Sequence, residues 1–297
     1  MEGKRVIALG FFDGAHLGHA ALLHRCREVA DILGLPAAVM TFDLHPDKLV
    51  MGDDIKLINS MEDREDIFRR LFGMDDVVFC HFTEEMMHMP WEDFLGRYLV
   101  EELGAVHLVC GHDFHFGDRG AGNPERLQTW CAAHGLGSDV IPKVTLDGVT
   151  VSSTYIRKLI EAGDMEKANR FLGHPHLLSG IVQPGHGLGR KLGIPTANLT
   201  IPEGVLIPAF GVYAAKVFVG DQAYLAVVNV GIRPTVGGSG VTVEPWILDF
   251  DGDLYGKRIR VEFYRHLRQE RKFESLEALK AEIHRNADQT RAYFAEK

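Results

Sequence analysis

The chain has 297 residues, with 32 Lys and Arg against 41 Asp and Glu, for a formal charge of −9. That length predicts about two domains, and 46% hydrophobic with 25% charged residues is the mix of an ordinary globular protein. The acidic balance excludes a general nucleic-acid binder, which needs a basic face, and no apolar run approaches a membrane span.

The longest apolar run near the start, Val6–Phe12, follows Glu2, Lys4 and Arg5 and lacks a small-residue cleavage site, so a signal peptide is not expected. Five short runs, Arg5–Phe12, Ala37–Phe42, Asp76–Phe82, Ala105–Gly111 and Asp139–Val144, read as buried strands. Between the first two, His19–Leu33 places Leu22, Cys26, Val29, Ala30 and Leu33 on one helical face, with Gly34 as its C-cap. Met61–Leu71 and Trp91–Leu103 also read as helices. Strand–helix alternation predicts a doubly wound parallel sheet covered by helices on both sides. The four cysteines, Cys26, Cys80, Cys110 and Cys131, are scattered among apolar neighbours without CxxC spacing. Neither a disulfide nor a zinc framework is expected, and the expected location is a reducing cytoplasm.

The second half has another rhythm. Gly180–Val182, Gly211–Val219, Gln222–Val230, Thr242–Phe250 and Lys257–Leu267 are extended runs, with a tight hairpin at Val219–Gln222. They predict a compact, Greek-key-like β-barrel, followed by a helix from about Ser275. Gly173-His174-Pro175 interrupts a helix, which sets the expected domains at 1–172 and 173–297.

Gly10-Phe11-Phe12-Asp13-Gly14-Ala15-His16-Leu17-Gly18-His19 leaves the first strand and enters the first helix. Glycines let backbone N–H groups approach a phosphate, and the helix N-terminus adds partial positive charge. His16 and His19 share one face there and can donate to the same anion. A plain strand–helix turn would explain one glycine pair, but not two histidines with glycines at the mouth of the first strand. Asp113 follows the fourth strand, as a structural cap or a ribose contact. Ser153 and Thr154 are N-cap residues with Arg157 one turn on, which fits either a simple capped helix or a phosphate grip.

This first motif resembles the HxGH signature of nucleotidyltransferases, and most closely their flavin branch. Thr41–Pro46, Gly111–Gly117 and Val151–Arg157 resemble the same branch in the same order. The resemblance implies attack by an acceptor phosphate on the α-phosphorus of ATP, with pyrophosphate leaving. It places His16 and His19 on the transition-state phosphates and Ser153, Thr154 and Arg157 on the β/γ end. Gly10, Phe12, Asp13, Gly14 and Asp113 would complete the ATP site, with Mg2+ assisting.

Gly185–Asn198 joins a glycine-rich loop to two cations and a proline-fixed turn. On residues alone it is a surface loop or a phosphate loop. Gly193-Ile194-Pro195-Thr196-Ala197-Asn198 resembles the hallmark of riboflavin kinases. That implies magnesium and nucleotide phosphates at Thr196 and Asn198, with Gly187, Arg190, Lys191 and Gly193 lining the same site. Asn229–Thr235, Asp249–Gly256 and Leu267–Phe273 match that family too, and Glu244 occupies its general-base position. Arg268 and Glu270 either border the flavin or pair with each other at the surface.

The whole chain thus resembles the bacterial bifunctional riboflavin kinase/FAD synthetase family. The implied activities are phosphorylation of riboflavin by ATP to FMN, then adenylylation of FMN to FAD. The implied partners are these small molecules, with neither nucleic acid nor membrane, and the sequence assigns no oligomeric state. Departures from the family pattern are Phe11 for Asn, His115 for Arg, Trp246 for His, Asn286 for an acid, and Pro245 directly after the base, where a proline predicts an edge or bulge. Three rivals remain. In one only the kinase half turns over; in another a flavin-binding regulator keeps its pockets without turnover; in the third a nucleotidyltransferase acts on another acceptor.

Overall fold

The computed structural model describes residues 3–43, 55–184, 189, 193–235 and 238–296. Contacts divide the chain into two compact units, Met1–Ile55 with Arg64–Ser153, and Lys56–Asp63 with Thr154–Lys297.

In the first unit, β1 (Arg5–Leu9), β2 (Ala37–Phe42), β3 (Asp76–Cys80), β4 (Ala105–Gly111) and β5 (Gly137–Ile141) form a parallel sheet ordered β3-β2-β1-β4-β5, and β6 (Thr145–Leu146) and β7 (Val149–Thr150) form a short hairpin after it. Every residue of β2 is buried, as expected of a strand covered on both faces. The winding moves outward from β1 to β3, then resumes on the other side at β4. The reversal lies between β1 and β4, beyond whose carboxyl ends such sheets bind ligands. Helix α1 (Leu17–Leu33) ends at Gly34, whose φ of 63° lets its N–H reach the Ala30 and Asp31 carbonyls.

Three local expectations change. β1 stops at Leu9 because Phe12 turns left-handed, with φ 56°. Helix α2 (Met61–Phe72) and a short α3 (Glu84–Met87) are followed by α4 (Trp91–Asp93), which passes into a π-helical stretch, Phe94–Glu102. There Leu103 N–H bonds the Tyr98 carbonyl, one residue further back than in an α-helix. Helix α5 (Pro124–Ala133), absent from the reading above, is started by Asn123, whose side chain accepts from Arg126 N. The core gathers Ile7, Leu9, Met40, Leu95, Leu108 and Leu127. All four cysteines are buried and unpaired. Burial pushes the Cys26 and Cys110 thiols up to about 12, so they stay protonated packing groups.

The second unit continues α6 (Ser153–Glu161) and holds α7 (Met165–Leu172), closed by Gly173. Its strands are β8 (His176–Gln183), β9 (Asn198–Thr200), β10 (Gly211–Val219), β11 (Gln222–Thr235), β12 (Gly238–Ile247) and β13 (Arg258–Arg268). They close into an antiparallel barrel ordered β10-β11-β12-β9-β8-β13. The terminal helix α8 (Leu276–Ala295) is capped by Ser275 and sets Ala287 against Val212, Val227 and Leu248. Segment Lys56–Asp63 belongs to this unit. Leu57 bridges Val205, Asn59 Nδ2 donates to the Leu177 carbonyl at 3.2 Å, and the Asp63 carboxylate accepts from Ser179 N and Arg258.

Pro245 does not disturb β12. The register with β11 runs unbroken from Ala226–Ile247 to Thr235–Gly238, with Pro245 opposite Val228. A strand residue's N and carbonyl point to the same side, and the Pro245 carbonyl accepts from Ala197 N at 2.9 Å. The missing N–H therefore faces residues 195–197, not the β11 ladder.

Candidate active sites

In the first unit, the turn after β1 is built from strained backbone. Phe12, Gly14 and Ala15 have φ of 56°, 79° and 39°, and only the glycine adopts that region freely. Phe12 is fully buried and Asp13 is 1% exposed, so the turn is packed rather than loose. It delivers His16 to the N-cap of α1, where His16 Nδ1 accepts from His19 N at 3.3 Å. The helix thus starts two residues before the expected His19, and His16 carries its proton on Nε2.

The two imidazoles stack, with centroids 3.6 Å apart and planes 11° from parallel. The Phe12 ring meets His19 edge-on at 5.2 Å. Burial first, then the His16 and Arg64 charges, hold the His19 pKa well below the ordinary imidazole value. His19 Nδ1 is buried without a hydrogen-bond partner among the described residues. With His16 Nδ1 accepting from His19 N and His19 held neutral, the pair at the helix N-terminus is a donor platform for an anion. The motif's glycines have steric reasons. A Cβ on Gly10 would lie 3.0 Å from the Phe12 ring, and one on Gly18 would lie 3.1 Å from the His16 ring.

The remaining expected residues separate. Ser153 is the first residue of α6 rather than its cap, and its hydroxyl donates to the Asp13 carbonyl at 2.9 Å, bracing the turn from behind. Thr154 is exposed; it and Arg157 group with the second unit, where Arg157 Nε donates to the Lys56 carbonyl. Asp113 lies at the end of β4 with its side chain 80% exposed, and His115 donates from Nδ1 to the Asp113 carbonyl. Phe11 is placed by Arg64, whose guanidinium carbon is 4.8 Å from the Phe11 ring centroid.

In the second unit, β9, β12 and β11 carry one row of polar side chains. Val243 pairs with Leu199, and Ala197 N bonds the Pro245 carbonyl, so Asn198 stands directly opposite Glu244. Asn229 faces Glu244 from the other side. Directly opposed residues share a sheet face, which makes Asn198, Glu244 and Asn229 neighbours. Asn229 Nδ2 reaches Glu270 Oε1 at 3.4 Å. Glu270 therefore joins this row, and among the described residues no ion pair joins it to Arg268. Arg268 instead donates from Nε to Asn286 Oδ1 at 3.0 Å and lies 3.6 Å from buried Glu282, both on α8. Asn229 was not among the expected site residues; its register opposite Glu244 is what reveals it.

A cleft of about 730 Å³ opens beside this row, lined by Thr196, Ala197, Pro245, Phe250, Asp251 and Tyr255 among others. Asn198 and Glu244 do not line it. Gly189 is pressed against the turn below: its carbonyl accepts from Ile194 N at 2.8 Å, and a Cβ there would lie 2.4 Å from the Ile194 carbonyl and 3.2 Å from the Thr196 hydroxyl. Gly193 turns with φ 73°. Gly187, Arg190 and Lys191 lie outside the described residues, as does the His45-Pro46 pair.

No described residues group three or more His, Cys, Asp or Glu side chains into a metal cluster. The expected metal donors are thus the neutral oxygens of Thr196 and Asn198. They suit a hard cation that arrives with phosphate oxygens and water, and they fit magnesium on those terms. No helix among the described residues is long and apolar enough to cross a membrane.

The FAD synthetase family model matches residues 1–155 and the riboflavin kinase family model matches residues 172–294. A bifunctional riboflavin kinase/FMN adenylyltransferase of Listeria monocytogenes is 35% identical, covering 98% of this chain and 93% of its own. One from Pseudomonas fluorescens is 38% identical over 98% of this chain and 93% of its own. A crystal structure of a Streptococcus pneumoniae protein described as a macrolide-efflux protein superposes with a TM-score of 0.86 at 29% identity, covering 98% of this chain and 95% of that one.

Proposed function

The chain belongs to the bifunctional riboflavin kinase/FMN adenylyltransferase family, and from that premise we propose how its residues divide two reactions. The protein phosphorylates riboflavin with ATP to FMN, then adenylylates FMN with a second ATP to FAD, releasing pyrophosphate. In the first reaction the ribityl hydroxyl attacks the γ-phosphorus while ADP leaves. In the second an FMN phosphate oxygen attacks the α-phosphorus while pyrophosphate leaves.

Adenylyl transfer belongs to the first unit. The turn Gly10–Ala15 sets the stacked His16 and His19 at the start of α1, where His16 and the neutral His19 donate hydrogen bonds to the phosphates where charge develops. Little covalent chemistry is asked of the protein, so alignment carries the rate. Ser153 acts by bracing the turn through Asp13, and Asp113, beyond β4, contacts the nucleotide from the far side of the winding reversal.

Phosphoryl transfer belongs to the barrel. Glu244, between Asn198 and Asn229, orients the ribityl hydroxyl and accepts its proton. Thr196 and Asn198 would hold Mg2+ together with the nucleotide phosphates, where the ion neutralises phosphate charge. Glu270, bonded to Asn229, borders the flavin, and Arg268, at the end of β13 and held by Asn286 of α8, supports that edge. The start of the riboflavin kinase match at 172 supports a functional boundary at 172/173. We place the protein in the cytoplasm, where its four free cysteines stay reduced.

The observation that carries this reading is the pairing, in one chain, of the His16–His19 platform with the Asn198–Glu244–Asn229 row. A chromatographic time course with riboflavin, ATP and magnesium tests it: FMN must rise first and FAD follow. FMN without FAD leaves the kinase half alone, and flavin binding without ATP consumption leaves a carrier.

A further inference from the structure

Arg64, in the first turn of α2, is the largest fully buried side chain among the described residues, and no motif above includes it. Its Nη1 donates to the Phe11 carbonyl at 3.0 Å and approaches Thr41 Oγ1 at 3.3 Å, and its Nη2 donates to the Phe42 carbonyl at 3.1 Å. Thr41 donates to the same Phe11 carbonyl at 2.7 Å. The guanidinium also lies against the Phe11 and Phe79 rings, at 4.8 and 5.5 Å.

We propose that Arg64 is a positioning residue for adenylyl transfer, fixing through the Phe11 carbonyl the strained turn that carries His16 and His19. The proposal rests on the reading of the first unit as the adenylyl-transfer site. Phe11 immediately precedes left-handed Phe12, so a planar fork bonded to its carbonyl and to the end of β2 sets the peptide from which the turn starts. A guanidinium this buried, whose Nε has no hydrogen-bond partner among the described residues, is costly to a fold. Its charge is spent beneath an anion-binding turn, where it strengthens attraction to phosphate at short range. It also bears on His19, which faces His16 on one side and Phe12 on another, with Arg64 as its other cationic neighbour; Asp13 and Asp43 act on Arg64 in turn.

The test compares Arg64→Met and Arg64→Lys in the full chain, with FAD formation from FMN as readout and riboflavin phosphorylation as the internal control. Loss of the fork in Arg64→Met is expected to lower kcat for FAD formation about a hundredfold with KM for ATP nearly unchanged, since misplacement acts on the aligned complex. Arg64→Lys should recover part of that loss. The His19 imidazole, followed by NMR, should titrate higher in Arg64→Met, where the charge is gone, and remain near the parent's midpoint in Arg64→Lys. FAD formation within twofold of the parent in Arg64→Met, or an unmoved His19 midpoint, overturns the proposal. Should Arg64→Met fail to fold, seen as lost riboflavin phosphorylation, an unchanged kcat in Arg64→Lys overturns the role of the fork and a lowered one supports it. An unaltered chain that makes no FAD overturns the adenylyl-transfer reading itself, a result visible before any variant is compared.

Discussion

The imidazole of His16 lies 3.1 Å from the point a Cβ on Gly18 would occupy. The HxGH spacing is thus a packing requirement as well as a chemical one: Gly18, the second of the two residues between the histidines, stays bare so that His16 can cap the helix and stack on His19.

Gly18→Ala should separate stability from activity. Alanine favours the helix by up to about 1 kcal/mol over glycine, yet its methyl displaces the His16 ring by a few tenths of an ångström. We expect a melting temperature unchanged or slightly raised, with FAD formation lowered about tenfold or more. Calorimetry beside an FMN-to-FAD assay checks both. Full activity would show that His16 moves without consequence.

Two substitutions should dissociate the reactions. Glu244→Gln is expected to lower FMN formation by about two to four orders of magnitude while FMN-to-FAD conversion persists. His19→Ala should do the reverse. Either variant losing both steps while still folded would refute independent sites.

The barrel should lose stability in mild acid through His176. That residue is fully buried, neither ring nitrogen has a hydrogen-bond partner among the described residues, and burial, with the charge of nearby His174, pushes its pKa down to about 3. Its unfolded pKa is ordinary, near 6.5, so the unfolded chain binds a proton that the folded barrel refuses as pH falls from about 6.5 toward 3. Stability from this group is complete above that window and declines within it, by at most about 1.4 kcal/mol per pH unit. Denaturant melts of the parent and of His176→Leu across pH 4–7 should show a shallower decline in the variant.

Asn286→Ala should loosen α8. The side chain is 1% exposed, accepts from Arg268 and donates to Gln289 Oε1 at 3.1 Å. Removing it leaves Arg268 beside Glu282 without its second partner, with an expected cost of about 1–3 kcal/mol. Urea unfolding measures it, and a change within about 0.5 kcal/mol would mean that Gln269 and Glu282 alone hold the arginine.

Much of this was legible in the sequence, for reasons that differ by element. β2, β4 and β10 match their expected bounds because largely apolar runs, broken only singly as by His107 and Lys216, end abruptly at polar or glycine residues. β1 was read too long because Phe11 and Phe12 are apolar, although they serve the turn and not the sheet. Trp91–Leu103 shows helical spacing whatever its hydrogen-bond step, so the π-helical portion leaves no mark in the pattern. Pro245 looked disruptive because sequence does not say which side of a strand its nitrogen faces. Arg64 was hidden among helix cations of the ordinary kind: Arg69 pairs with Glu65 and Arg70 with Asp66 at the surface, and nothing local distinguishes the one arginine that turns inward.

Segment Lys56–Asp63 interrupts one compact unit in sequence while belonging to the other. A single cut therefore cannot yield both halves whole. A fragment starting at residue 173 would lack Asn59 beneath Leu177, Asp63 beneath Ser179 and Arg258, and the Leu57–Val205 bridge. The barrel's own backbone groups would be left to water at those points. Separating the two activities genetically thus calls for point substitutions, or for a circular rearrangement that carries residues 56–63 along, rather than truncation.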